Sequence, residues 1–186
     1  MSDHKVDRAR VQTIVGELLV ALGEDPTREG ILDTPRRVAD WWTEFLDYDP
    51  GKTGTVFTGT DTDQMVVVSG MRIWSLCEHH LLPFWCDVSI GYIATNKVIG
   101  LSKMGRIAHK HAHKLNLQEG LVHGIAEDLA EIVGQDVAVI ATGEHLCMTM
   151  RGIQTPHRMT SSSMKGKFKD HAETRAEFMA IVRGAQ

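Results

Sequence analysis

The sequence predicts an α+β fold: a four-stranded antiparallel sheet with two helices on one face, preceded by an N-terminal helical arm. Three observations predict it. Two apolar stripes of helical period open the chain, a polar, Gly-rich stretch interrupts it at about 47–64, and the remainder alternates paired strands with paired helices. The arm takes residues 1–47 and the core residues 65–186, working as one functional unit.

In the arm, Val11, Ile14, Val15, Leu18, Leu19 and Leu22 recur at helical spacing over 7–22, and Gly23 stops the run. A second helix starts at Thr34 as N-cap, with Pro35 at the first helical position and a stripe of Val38, Trp41, Trp42, Phe45 and Leu46. In the core, 65–76 is β-rich with Gly70 marking a bulge, and a second strand runs from about Phe84 to Ala94. Residues 102–116 and 118–133 read as helices. DVAVIATG (136–143) reads as a short buried strand, HLCMTMRG as another strand, and 172–183 as a closing helix.

The chain has 186 residues, enough for a real core, and 42% of them are hydrophobic. No apolar run approaches the about 20 residues of a membrane helix, and no apolar h-region follows the charged opening MSDHKVDRAR, so a cytoplasmic protein without a membrane partner is expected. A formal charge of −4 without a basic stripe argues against nucleic acid as a partner. The cysteines, Cys77, Cys86 and Cys147, number three, which in a reducing compartment favours metal or catalytic use over disulfides.

The densest chemical cluster is Cys77-Glu78-His79-His80. Cys77 and His80 have the C-x-x-H spacing with which one turn can grip a metal, and Cys147 lies beside His145. Cys, His and Cys would leave a fourth place for water, the arrangement of catalytic zinc; two inert buried thiols are the alternative. On a strand, His145 and Cys147 would point to the same side, making His145 a candidate acid/base, and Arg151 would share that face. A hydrogen-bonded structural histidine is the competing reading. Ser102, Lys103 and Arg106 open a helix whose free N–H groups suit a phosphate, although a solvated basic helix start has the same composition. Gln118 and Glu119 open the next helix, where an acidic residue is also favoured by the dipole.

Three features are set aside. GKT at 51–53 has Leu46 where a phosphate loop needs Gly. His109, His111 and His113 read as a solvated helix face, and Cys86 as core packing.

EDPTREGILDTPRRVA (24–39), SLCEHHLLPF (75–84), VIGLSK with Arg106, LQEGL (117–121), GEHLCMTMRG (143–152) and GKFKDHAETRAEF (166–178) occur in the order and with the gaps of one family. Through them nearly the whole chain resembles GTP cyclohydrolase I. The resemblance implies a tunnelling fold, a homodecamer with active sites shared between subunits, GTP as substrate and Zn2+ as cofactor. It implies Cys77, His80 and Cys147 as zinc ligands, His145 as acid/base, and His79 and Ser102 as helpers at the ribose. Gln118 and Glu119 become the guanine-recognition pair, since a carboxylate accepts both N1–H and the 2-amino group. Lys103, Arg106 and Arg151 become triphosphate and ribose contacts, and Arg37 a basic residue lent by a neighbouring subunit. The implied reaction opens the imidazole ring, releases formate and yields 7,8-dihydroneopterin triphosphate, a precursor of folates, biopterin-type cofactors or deazaguanines. Gly120, where many members carry Arg, and Asp40, where Lys is frequent, depart from the family pattern. Two rival readings are another tunnelling-fold enzyme, such as a nitrile reductase or a carboxytetrahydropterin synthase, and a non-catalytic zinc protein. The first lacks the Cys, His, Cys set, and the second has no need of His145 and Glu119 together.

Overall fold

A computed structural model describes residues 5–59 and 63–185. The chain divides into two compact units, Met1–Asp49 and Pro50–Gln186.

The first unit is a helical pair, α1 (Arg8–Ala21) and α2 (Thr34–Leu46). Asp7 caps α1 by accepting from the backbone N–H of Arg10 at 3.0 Å. The cap of α2 falls one residue earlier than expected, at Asp33, which leaves Thr34 and Pro35 inside the first turn. Asp40 accepts from Arg8 of α1 at 2.5 Å and from Arg36 at 3.0 Å. An acidic residue at this position therefore ties the two helices of the arm together. Much of the α1 stripe is solvent-facing, with Ile14 and Leu18 about half exposed at 49% and 51%.

The second unit runs β1 (Val56–Thr58), β2 (Gln64–Cys77), β3 (Pro83–Ala94), β4 (Lys97–Ile99), α3 (Leu101–Ala112), β5 (Leu115–Asn116), α4 (Gln118–Val133), β6 (Val137–His145), α5 (Leu146–Thr149), β7 (Met159–Met164), α6 (Lys167–Asp170) and α7 (Ala172–Gly184). The main sheet has the order β5-β2-β3-β6-β7, and β1 pairs with β4 separately. The expected sheet of four antiparallel strands is thus β2-β3-β6-β7, extended at one side by a two-residue parallel strand, β5. Its fourth strand is not the one anticipated. HLCMTMRG leaves the sheet at His145 and coils into α5, and the edge is filled by the Ser-rich stretch Met159–Met164. The register between β2 and β3 shifts between Val68 and Met71, where Gly70 takes a left-handed φ of 68°. That is the bulge the sequence indicates, at a conformation glycine adopts without a Cβ penalty.

Apolar side chains alternate along the strands and feed two cores. One packs Ile73, Phe84, Cys86, Val88 and Ile90 of the sheet against Met104 and Ile107 of α3 and Leu121, Ile125 and Leu129 of α4. The other, on the opposite face, joins Ile93, Ala138 and Ile140 to Phe168, Phe178 and Val182 of α6 and α7. Each such side chain fully removed from water contributes about 1.5–3 kcal/mol, so the site-bearing sheet is clamped from both sides. Cys86 is core as expected, fully buried, its thiol pushed up to about 12 by burial.

Candidate metal and catalytic site

The site assembles at one end of the sheet, where β2 and β3 join and β6 stops. Cys77 is the last residue of β2. Its N–H donates to the carbonyl of Leu82 at 2.9 Å, and its carbonyl accepts from the N–H groups of His80 and Leu81 at 3.3 and 2.9 Å. These bonds close the turn 78–82, with Leu81 in a left-handed conformation at φ 56°. β5 buttresses the turn, because Asn116 pairs with Cys77 and its carbonyl accepts from the N–H of Glu78 at 3.2 Å. Cys77 is buried, while His79 and His80 ride on the exposed turn.

Cys147 reaches the same place by another route. β3 begins at Pro83, so β6 pairs no further than Phe84↔His145. Past that register the chain has no strand to lie against and turns into α5, which carries Cys147 toward Cys77. The ligand atoms of Cys77, His80 and Cys147 all lie within 4.8 Å of one another. The two Sγ atoms are 3.9 Å apart, and Cys77 Sγ is 3.9 Å from His80 Nδ1. Two thiolates at about 2.3 Å on a tetrahedral zinc would stand about 3.8 Å apart, so the spacing fits such an ion. Burial, and then the neighbouring Cys77 thiol, raise the pKa of Cys147. Cys147 thus favours the thiol form until a cation joins it.

His145 is buried at the end of β6. Its Nε2 lies 3.1 Å from Gln118 Oε1, and its ring is stacked on Phe84. Burial lowers its pKa; His157 lowers it further and Glu119 opposes both. Gln118, the first residue of α4, is fully buried, and its amide also donates to the carbonyls of Ala141 at 3.0 Å and Met159 at 3.2 Å. The side chain expected at a guanine beside Glu119 therefore lies behind His145, and it is Glu119 that is exposed. Gly120 follows, where a Cβ would come within 2.7 Å of Asn116 Oδ1. Asn116 is itself engaged, accepting from the N–H of Leu117 and donating to the carbonyl of His111. A larger residue at Gly120 would have to displace this bracket.

The expectation that His145, Cys147 and Arg151 share one strand face is corrected by α5, since the strand ends at His145. Arg151 still reaches the group, its Nη1 lying 2.8 Å from His80 Nε2. Ser102, Lys103 and Arg106 open α3 as expected, with Ser102 and Arg106 exposed. Arg106 donates to the carbonyl of Pro50 at 2.5 Å. Arg37 lies in the other unit, exposed, 3.5 Å from Asp33. The histidines of α3 are not a solvated face. His111 is largely buried over Gly124, with Nε2 3.0 Å from Asp128 Oδ2.

Sequence reasoning passes over two residues at the site. Phe84 is legible as core but not as the floor beneath a histidine. His157, whose ring centroid is 6.2 Å from that of His145, sits in a loop that no periodicity marks.

Fold and site together describe an α+β protein in which a Cys, His, Cys group that could hold a metal stands two residues from an oriented, buried histidine. Comparison with known proteins agrees: the family described as GTP cyclohydrolase I matches residues 11–183. The chain is 41% identical to GTP cyclohydrolase 1 of Hyperthermus butylicus over 95% of this chain and 92% of that one. It is 43% identical to GTP cyclohydrolase 1 of Acetivibrio thermocellus over 96% and 99% of the two chains. The chain belongs to the GTP cyclohydrolase I family and is an enzyme of that type.

Proposed function

We propose that this chain hydrolytically opens the imidazole ring of GTP, releases formate and yields 7,8-dihydroneopterin triphosphate, with zinc held by Cys77, His80 and Cys147. The observation that carries the reading is the convergence of those three ligand atoms within 4.8 Å in a member of this family. Zinc held there would supply Lewis acidity and, through it, a water nucleophile near neutral pH. Two thiolates and an imidazole are the donor set zinc prefers.

The protein's own groups divide the remaining work. His145 takes up a proton from the attacking water and returns it to the purine nitrogen released as C8 is cleaved. Burial keeps it neutral at pH 7, ready to accept. Glu119, exposed at the head of α4, accepts the N1–H and 2-amino protons of guanine. Lys103, Arg106 and the backbone N–H groups at the start of α3 bind the triphosphate, helped by Arg151. Ser102 and His79 act at the ribose during its opening and rearrangement, ahead of pterin ring closure.

The enzyme works as a homodecamer with shared sites in a tunnelling-fold assembly, Arg37 serving a neighbour's site. The half-exposed apolar side chains of α1 and Trp41 at 42% support burial against further copies. Among the described residues, no helix is long and apolar enough to cross a membrane. The reading places the work in the cytoplasm, a reducing compartment where Cys77 and Cys147 stay free thiols open to a metal. The deciding experiment incubates the protein with GTP and measures formate together with the fluorescent pterin formed on oxidation. Neither product appearing would overturn the assignment.

A further inference from the structure

We infer that Gln118 is a positioning residue: it fixes His145 as the Nε2–H tautomer and leaves Nδ1 as the nitrogen that exchanges protons with the substrate. The inference rests on the reaction proposed above and names the device that orients its acid/base.

The argument is a count of donors and acceptors. A carboxamide has two N–H donors and one carbonyl oxygen. Here the assignment is forced. Gln118 Nε2 faces the carbonyls of Ala141 and Met159 at 3.0 and 3.2 Å, and carbonyls only accept. Both amide hydrogens are therefore used, and Oε1 must face His145 Nε2 at 3.1 Å. That oxygen also only accepts, so His145 Nε2 carries the proton. A neutral imidazole holds one proton, which leaves the lone pair on Nδ1.

The two anchors sit on different strands, Ala141 in β6 and Met159 at the start of β7. The amide therefore cannot turn without breaking bonds to both, in a place where its side chain is fully buried. Phe84 sets the plane of the imidazole by parallel stacking. Gln118 sets its rotation within that plane, because a half-turn of the ring would present a C–H to Oε1 and strand a buried acceptor. Both amide hydrogens of Gln118 are engaged, so its side chain has no donor left to offer a base. A direct guanine contact and a positioning role thus predict different kinetics.

Neutron diffraction from deuterated crystals of the native protein tests the tautomer without any variant. A deuteron on His145 Nε2 is expected; one on Nδ1 alone overturns the inference. Gln118→Met keeps the length of the side chain and removes its donors and acceptor. It is expected to lower kcat about 10- to 100-fold, as removing the partner of a functional histidine does elsewhere, with zinc content and the KM for GTP near native. In a His145→Ala background the same change is expected to cost nothing more. A raised KM with native kcat, or an undiminished loss in the His145→Ala background, overturns it. Failure of the native protein to release formate would sink the reaction instead, and the neutron result would still decide the tautomer.

Discussion

The imidazole of His145 lies parallel to the ring of Phe84, with centroids 4.4 Å apart and planes 5° apart. The two are register partners across β3 and β6, so the stack is a cross-strand pair made by the sheet itself. It puts a titratable ring at the last rung of the ladder, just before the chain leaves the sheet to deliver Cys147.

His145→Ala should lower formate release by about 10²–10⁴, the usual worth of a positioned acid/base, while zinc content and GTP binding persist. Single-turnover formate release, metal analysis and melting temperature on one preparation check this. A folded, metal-loaded variant that works at the native rate would move the role to His79 or to a water.

Native protein should carry about one zinc per chain, and Cys147→Ser should lose most of it. Elemental analysis after gel filtration measures both. Full occupancy in the variant is the result that would remove Cys147 from the ligand set.

Glu119→Ala should nearly abolish GTP turnover and leave the metal in place. Inosine triphosphate, which keeps N1–H but lacks the 2-amino group, should be used roughly 10⁴-fold less well by the native enzyme, because one carboxylate oxygen loses its donor. Comparable kcat/KM for the two nucleotides would count decisively against recognition by Glu119.

Stability should fall as the pH drops below about 6.5, the ordinary histidine value. Burial lowers the pKa of both His109 and His111; for His111, Asp128 opposes the shift while Lys114 and Lys110 add to it. In this range the unfolded chain binds more protons than the folded one, so acidification favours unfolding. The contribution is complete above about 6.5 and is lost as the pH passes through the lowered values. Melting temperatures between pH 7.5 and 5 measure it, ahead of the carboxylates. A flat or rising trend on acidification would show that these rings are not held neutral.

The elements with strong periodicity are legible in the sequence: α1, α2, α4 and α7, and the long strands β2 and β3 with the bulge at Gly70. HLCMTMRG misleads because its apolar residues alternate as a strand's do, while its fate depends on Pro83 and the register of β3, which no local pattern encodes. The edge strand Met159–Met164 escapes notice because MTSSSM is mostly hydroxyl side chains, and backbone pairing with β6 rather than a buried face holds it. At the site, Cys77, His80 and Cys147 can be nominated from spacing. The position of Gln118 behind His145 cannot, since it depends on how two strands present their carbonyls to the start of α4.

Cys77 and Cys147 are 70 positions apart in the chain, yet their sulfurs nearly touch. Anything that grips both sulfurs is therefore also a cross-link, closing a long loop that holds β3, β6 and the helices α3 and α4. By the chain-entropy estimate for a loop of that size, such a closure removes about 4 kcal/mol worth of freedom from the unfolded chain. On that reckoning the group that performs the chemistry would also be the strongest single fastener of the fold. An enzyme stripped of its ion would then be easier to unravel as well as inactive.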